Sequence, residues 1–329
     1  MHKPRFLYHI FFILAGTSFA ETWQQSPFFN TTIIKEGART TKLLKKAGFQ
    51  EGFYTTDDHI ALSCLYHQKK DAAYNVVIYS GWSGRRHEGA PFAAMLADQP
   101  CNFFLLEGRN NHWSWRFNKR VLEVGEYSHT DIKAAIEFVH RKNKKPIFLL
   151  GICAGAFYSA QACVEYMRED KLASYTIRGL IFDSSWASPA TAVPSAIAGI
   201  VNKRLDMLAG GDGRLNKRRF SPLSRILQAC FRPLVSGFYT FLFANRVRVV
   251  EQTKNLHNTI HTLPIDIFFI HSADDHIVAL SEAQLLASKA QRPTTWWINE
   301  PSRHANHHIK YKEQYKERLV AFVHKALTQ

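Results

Sequence analysis

The chain has 329 residues, 46% of them hydrophobic and 21% charged, with a formal net charge of +15 at pH 7. That length and balance exclude a disordered or low-complexity chain, and a mini-protein that needs disulfides or a metal to hold a core. They leave one large domain or two ordinary ones, and the cationic excess favours anionic surfaces or substrates.

The first twenty residues differ in kind from the rest. Lys3 and Arg5 precede an apolar run from Phe6 to Gly16, broken by His9, and Ser18-Phe19-Ala20 offers small residues to a signal peptidase. This pattern reads as a cleavable export signal over residues 1–20, too short for a comfortable membrane span. The competing readings are an uncleaved anchor or a first strand. A mature start near Glu21 and a secreted or periplasmic location are expected. The five cysteines are Cys64, Cys101, Cys153, Cys163 and Cys230. An odd number in an exported chain suggests one free reactive thiol. With Cys153 in that role, the other four either form two bridges or stay buried and inert.

Further along, Gly52 to Thr56, a turn at Asp57-Asp58-His59 and Ile60 to Tyr66 read as a hairpin. Asn75 to Tyr79 is a strand ending on Ser80-Gly81, Ala90 to Ala97 a helix, and Cys101 to Leu106 a buried strand followed by a loop from Glu107 to His112. Ile132, Ala135, Ile136 and Val139 recur at helical spacing. A strand at Pro146 to Leu150 precedes a helix of small and apolar residues from Ala156 to Met167, and Arg178 to Phe182 is the next strand. The rhythm then breaks from Trp186 to about Leu263. It resumes with a strand at Ile265 to Ile270, a helix near Ser281 to Ala290, a strand at Thr294 to Asn299 and a closing helix from Tyr311 to Leu327. Such alternation predicts an α/β architecture, a mostly parallel sheet with helices on both faces. Residues 21–185 and 264–329 would form the core and 186–263 an insertion. Between Val201 and Ile260 the balance is +8, read either as a solvated basic face or as a surface for anionic partners.

The sharpest signal is a strand that runs into Gly151-Ile152-Cys153-Ala154-Gly155 and then into a helix. A nucleophile on so tight a turn projects above the sheet, and small flanking residues are required. The helix N-terminus beneath favours the thiolate, and the N–H of Ala154 faces the place where an oxyanion would form. A carboxylate follows in the loop after Ile270, with Asp275 the first candidate and Asp274 the second. His304, in the loop after the last strand, is the candidate base. His307 and His308 lie close behind it, but no H-E-x-x-H or Cys-x-x-Cys partner accompanies them, so neither metal nor cofactor is expected.

These pieces together resemble the α/β-hydrolase superfamily from about Gly52 onward, nearest its serine-aminopeptidase-like and acyl-ester hydrolase branches. Tyr79-Ser80-Gly81-Trp82-Ser83-Gly84 stands in the place of the family's H-G-x-x-G oxyanion loop, and Glu107-Gly108-Arg109-Asn110-Asn111-His112-Trp113-Ser114 in that of D-x-R-G-H-G-x-S. The resemblance implies the α/β-hydrolase fold with a helical cap at 186–263. It further implies Cys153 as nucleophile, Asp275 as acid, His304 as base, Gly151 and Gly155 as elbow glycines, and the N–H groups of Trp82 and Ala154 as oxyanion hole. Two departures stand out: Ser80 replaces the family's histidine, and cysteine replaces serine at the elbow. A Cys elbow resembles, locally, that of dienelactone hydrolases and polyhydroxyalkanoate synthases.

A cysteine nucleophile favours activated acyl groups, because a tetrahedral intermediate on an unactivated amide expels thiolate before amine. Hydrolysis of an acyl ester, thioester or lactone is the leading expectation; acyl transfer from a thioester and a catalytically silent binding protein are the alternatives. The expected partner is a small or lipid-like acyl substrate, with an anionic surface through the basic cap and no specific nucleic acid. The aromatic run Phe238, Tyr239, Phe241, Phe243 would either meet such a substrate or cover the cap's own core.

Overall fold

The alternating apolar runs become eight strands of one sheet in the computed structural model, which describes residues 27–82, 84–109, 125–194, 255–275, 277–291, 295–298 and 301–328, with isolated positions between 226 and 250. The expected signal peptide, Ser83, residues 110–124, most of the insertion with its aromatic run and Cys230, His276 and Glu300 lie outside the described residues.

The strands are β1 (Gln50–Thr55), β2 (Ala61–His67), β3 (Tyr74–Ser80), β4 (Cys101–Leu106), β5 (Ile147–Ile152), β6 (Ile177–Asp183), β7 (Asp266–His271) and β8 (Thr295–Ile298). Their order across the sheet is β1-β2-β4-β3-β5-β6-β7-β8. β2 runs antiparallel to both its neighbours, and every other pairing is parallel. The parallel strands β3, β4, β5 and β7 are buried on both faces, which is why they read as largely apolar runs rather than as alternation. In β5, Ile147 and Leu149 point into one core cluster while Phe148 and Leu150 point into the other.

The helices divide between those two faces. They are α1 (Pro27–Lys46), α2 (Ala90–Met95), α3 (Ser128–Lys142), α4 (Ala154–Arg168), α5 (Leu280–Lys289), α6 (His307–Lys310) and α7 (Lys312–Thr328). α3, α4 and α5 cover one face through Ile132, Ile136, Phe157, Ala160 and Leu286. α2 and α7 cover the other through Phe92, Met95, Leu319, Phe322 and Val323. The ends of the insertion belong to the first cluster, where Trp186, Ala187, Leu256 and Ile260 are buried. α1 has no counterpart among the sequence expectations, since its β-branched residues (Thr31, Thr32, Ile33, Ile34, Thr40, Thr41) mask a helical pattern. It docks where Leu44 enters the second cluster and Gly37 lies against the ring of His87.

Of the two readings of the remaining cysteines, buried thiols rather than two bridges hold for the three that are described. Cys64, Cys101 and Cys163 are buried and unpaired. Each sits on an element whose neighbours are core side chains, and burial pushes their thiols up to about 12, 11 and 12. They are inert packing groups.

His308 gives the fold an acid sensitivity. Its ring packs 4.4 Å from that of Phe92, and its Nδ1 is buried with no hydrogen-bond partner among the described residues. Burial pushes its pKa down to about 4, below the value of 6.5 usual for histidine. The unfolded chain therefore takes up a proton that the folded chain refuses as pH falls from 6.5 to 4, and stability drops across that window by up to about 3 kcal/mol. His308→Phe should flatten this part of the curve of unfolding free energy against pH, measured by urea titration at pH 7 and pH 4.5. An unchanged slope would show that His308 is not the group responsible.

Candidate active site

Cys153 lies between β5 and α4 with φ 53° and ψ −125°, a strained backbone for any residue with a side chain. The crowding around it explains both glycines. A Cβ on Gly151 would stand 2.2 Å from Ala156 Cα, and one on Gly155 would stand 2.1 Å from the carbonyl oxygen of Tyr79. The helix thus starts hard against β3. The Cys153 N–H donates to the carbonyl of Asp183 (2.8 Å), tying the elbow to β6. Its side chain is half-buried, in contrast with the other described cysteines.

Asp275 follows β7 in the loop that leads to α5, and its side chain is wholly buried. Oδ1 accepts from the N–H groups of Ile277 and Val278, both at 2.9 Å, and Oδ2 accepts from Nδ1 of His304 at 2.8 Å. Burial alone would raise its pKa. The His304 bond and charge, with the two amides, outweigh burial and hold the carboxyl below its ordinary range. His271, buried at the end of β7, supports the same loop. Its Nε2 lies 3.0 Å from the Val278 carbonyl and 3.6 Å from Asp275 Oδ2.

His304 is held by Asp275 through Nδ1, and Cys153 is near enough to act on its charge. Burial disfavours its charged form. Attraction to the Cys153 sulfur and the bond to Asp275 overcome that and raise the pKa well above the usual histidine value. The loop that carries it is contorted: Arg303 has φ 63° and Ala305 has φ 49°. Asp274, the second candidate acid, does not touch His304. It instead accepts from the N–H groups of Ser302 (2.9 Å) and Arg303 (2.8 Å) and from Ser272 Oγ (2.5 Å), clamping the loop to the end of β7. His307 turns away to Ser302 Oγ (2.7 Å) and the face of Trp297. Among the described residues, no group of three His, Cys, Asp or Glu is arranged to hold a metal ion.

Trp82 comes to the same sheet edge. Ser80 is in register with Ile152, and the Gly81 N–H donates to the Ile152 carbonyl at 2.9 Å. Trp82 packs half-buried against the core cluster that also touches Cys153. Ala154 opens α4, where helix geometry leaves its N–H without an intrahelical acceptor. Ser80, in the place of the family's histidine, donates to the Arg85 carbonyl (2.9 Å) and closes the turn itself. Behind this loop, Arg109 binds Asp131 through Nε (2.8 Å) and its own N–H (2.9 Å), and Asp58 at 2.9 Å. Burial pushes Asp131 up to about 6 despite the guanidinium beside it. The hairpin, α3 and the loop after β4 are thereby joined at one buried ion cluster.

Two neighbours escaped the sequence reading. Asp183, at the end of β6, is fully buried; Tyr315 Oη donates to its Oδ2 (3.0 Å) and Ser184 Oγ to its Oδ1 (2.8 Å). Burial pushes it up to about 6, against those two bonds and the nearby charge of His304. The strand ending Phe182-Asp183-Ser184-Ser185 was the only available signal, and it does not separate a buried carboxylate from a turn.

No family model matches the sequence, and no curated protein matches it either. Among solved structures it is similar to an esterase from Pyrococcus furiosus, at 17% identity and a TM-score of 0.57 over 84% of this chain and 92% of that one. It is similar to a hydrolase from Pseudomonas aeruginosa at 13% identity and a TM-score of 0.56, over 83% of this chain and 98% of that one. For 2,6-dihydroxy-pseudo-oxynicotine hydrolase the values are 13% and 0.57, over 92% of this chain and 78% of that one. The strand order, the crossovers and these likenesses define the fold: the chain has the α/β-hydrolase fold.

Two outcomes follow from the geometry. Gly155→Ala should lower the unfolding free energy by about 1–3 kcal/mol, because Tyr79 backbone occupies the space a Cβ needs; a urea midpoint equal to that of the unmodified chain would contradict the close approach. Asp275→Asn should move the NMR titration of His304 to lower pH, since it removes a carboxylate that favours the imidazolium. A titration that stays in place would mean the 2.8 Å bond is not formed in solution.

Proposed function

We propose that the chain is an exported hydrolase that cleaves an acyl ester, thioester or lactone by nucleophilic catalysis through Cys153, His304 and Asp275. The observation that carries this reading is a half-buried thiol on a strained strand-to-helix turn, near a histidine whose Nδ1 is held by a buried carboxylate. The esterase and hydrolases of like fold give it further support.

The steps follow from the chemistry of these groups. Cys153 Sγ, as thiolate beside the His304 imidazolium, attacks the acyl carbon, and the N–H groups of Ala154 and Trp82 receive the developing oxyanion. The carbon–oxygen or carbon–sulfur bond to the leaving group breaks, and the leaving group takes the proton from His304. The thioester on Cys153 is then attacked by water, which gives its proton to His304 as the carbon–sulfur bond to the enzyme breaks. Asp275 keeps Nδ1–H of His304 bonded throughout, so that Nε2 serves the sulfur and the leaving group. The substrate is a small or lipid-like acyl compound, and the basic stretch from Val201 to Ile260 would draw it toward anionic surfaces.

The test is turnover of short p-nitrophenyl acyl esters by the mature chain. Cys153→Ala should lower kcat/KM by at least about 10³-fold, and His304→Ala by a similar factor. One equivalent of iodoacetamide, taken up at Cys153, should abolish turnover. Hydrolysis that survives both the substitution and the alkylation would exclude Cys153 as nucleophile. Absence of turnover with no selective alkylation would favour a silent ligand-binding protein. Transfer of the acyl group to an added alcohol or amine in preference to water would make the chain an acyltransferase. N-terminal sequencing of extracytoplasmic protein should begin near Glu21, whereas an intact Met1 in the cytosol would contradict export.

A further inference from the structure

Asp183 and Ser184 touch both halves of the site without belonging to the Cys153–His304–Asp275 set. The Asp183 carbonyl accepts the N–H of Cys153 at 2.8 Å, on the elbow side. On the histidine side, the N–H of Ala305, the residue next to His304, donates to Ser184 Oγ at 3.0 Å. Ser184 Oγ donates in turn to Asp183 Oδ1 at 2.8 Å, and Tyr315 Oη donates to Asp183 Oδ2 at 3.0 Å. The bonds therefore run without a gap from α7, through the end of β6, to the loop that carries the base. Asp183, Ser184 and Tyr315 are fully buried and Ala305 partly so, which shelters the inner bonds of the path from water.

The backbone at both ends requires such a tether. Ser184 has φ 54° and Ala305 has φ 49°, conformations that cost each residue of order 1–2 kcal/mol and persist only where neighbours enforce them. The Ser184 hydroxyl is placed to receive Ala305 N–H because Ser184 turns at positive φ. That N–H in turn fixes the far side of His304, while Asp274 fixes the near side through Ser302 and Arg303. Asp275 alone sets the direction of one imidazole nitrogen and leaves the ring free to pivot about that bond.

We propose that Asp183, acting through Ser184, is a positioning residue that holds His304 at the distance from Cys153 needed for proton transfer. This rests on the catalytic reading above and deepens it. The tether works by hydrogen bonding, so an isosteric amide at 183 should retain most of its effect, whereas loss of the Ser184 hydroxyl or of the whole carboxyl should not be tolerated.

The experiment compares Ser184→Ala, Asp183→Ala and Asp183→Asn in the full chain, with circular dichroism and urea midpoints to establish that each is folded. Both alanine variants should lower kcat for a p-nitrophenyl ester by 10- to 100-fold with KM changed less than twofold, and Asp183→Asn should recover most of that loss. In parallel, the NMR titration of His304 should shift in both alanine variants, since its distance from Cys153 contributes to its charge state. Ser184→Ala with unaltered kcat and an unmoved His304 titration would overturn the proposal. So would an Asp183→Asn that is as impaired as Asp183→Ala, because charge rather than positioning would then be at work. If the unmodified chain turns over no ester, the catalytic reading fails, and the His304 titration still decides the tether: moved in the alanine variants it stands, unmoved it falls.

Discussion

The carbonyl oxygen of Tyr79 occupies the space where a side chain on Gly155 would begin, 2.1 Å from the position of its Cβ. Because α4 starts that close to β3, the chain leaves β5 through a turn with no slack. Cys153 is the residue forced to positive φ, at a cost of about 1–3 kcal/mol. That cost is offset by the core on either side of the turn. β5 is buried on both faces, and α4 meets the sheet with small residues (Ala154, Gly155, Ala156, Ala160) that permit the approach. The half-buried position of the Cys153 thiol at the tip of this turn goes with that packing.

The remaining parts of the site are organised by the same sheet. Asp183 ends β6, Asp275 and His304 follow β7 and β8, and Trp82 follows β3, so all of them emerge at the ends of parallel strands, the edge at which open α/β sheets bind ligands. Loops are poor holders of precise geometry unless their polar groups are bound. Here two carboxylates bind backbone N–H groups directly, Asp274 at Ser302 and Arg303, and Asp275 at Ile277 and Val278. Asp183 reaches Ala305 through Ser184. Burial acts against the charge on Asp275 and Asp183 alike, and the outcome differs with their partners. Asp275 gains a bonded imidazolium and two amides and falls below the ordinary range, whereas Asp183 has only neutral hydroxyl donors in contact and rises to about 6.

The strands of the core could be read from the sequence because buried parallel strands are near-continuous apolar runs, and Ile147 to Leu150 and Ile265 to Ile270 are plain examples. The elbow was readable for a different reason: Gly-x-Cys-x-Gly needs its glycines only if a helix starts against a strand, and both flanking elements were visible. Asp275 could be given the acid's role with Asp274 as second candidate, but Asp274's part as a clamp could not be read, since it depends on long-range bonds to Ser302 and Arg303. Asp183 and Ser184 were unreadable because their meaning lies in Tyr315 and Ala305, more than a hundred residues away in sequence. α1 was missed because its local preferences oppose the helix that docking of Leu44 stabilises. The cysteines were ambiguous for want of burial, which is what turns three of them into inert packing groups.

The central claim is that the Cys153 sulfur carries the acyl group between two halves of a reaction. Rapid acid quenching of the mature chain with p-nitrophenyl acetate, followed by peptide mass spectrometry, tests it most directly. The account predicts one acetyl group per chain as a thioester on Cys153, formed within the first turnover and absent in Cys153→Ser peptides, where any acetyl would be an oxygen ester. Release of p-nitrophenol with Cys153 unmodified at every quench time would contradict it.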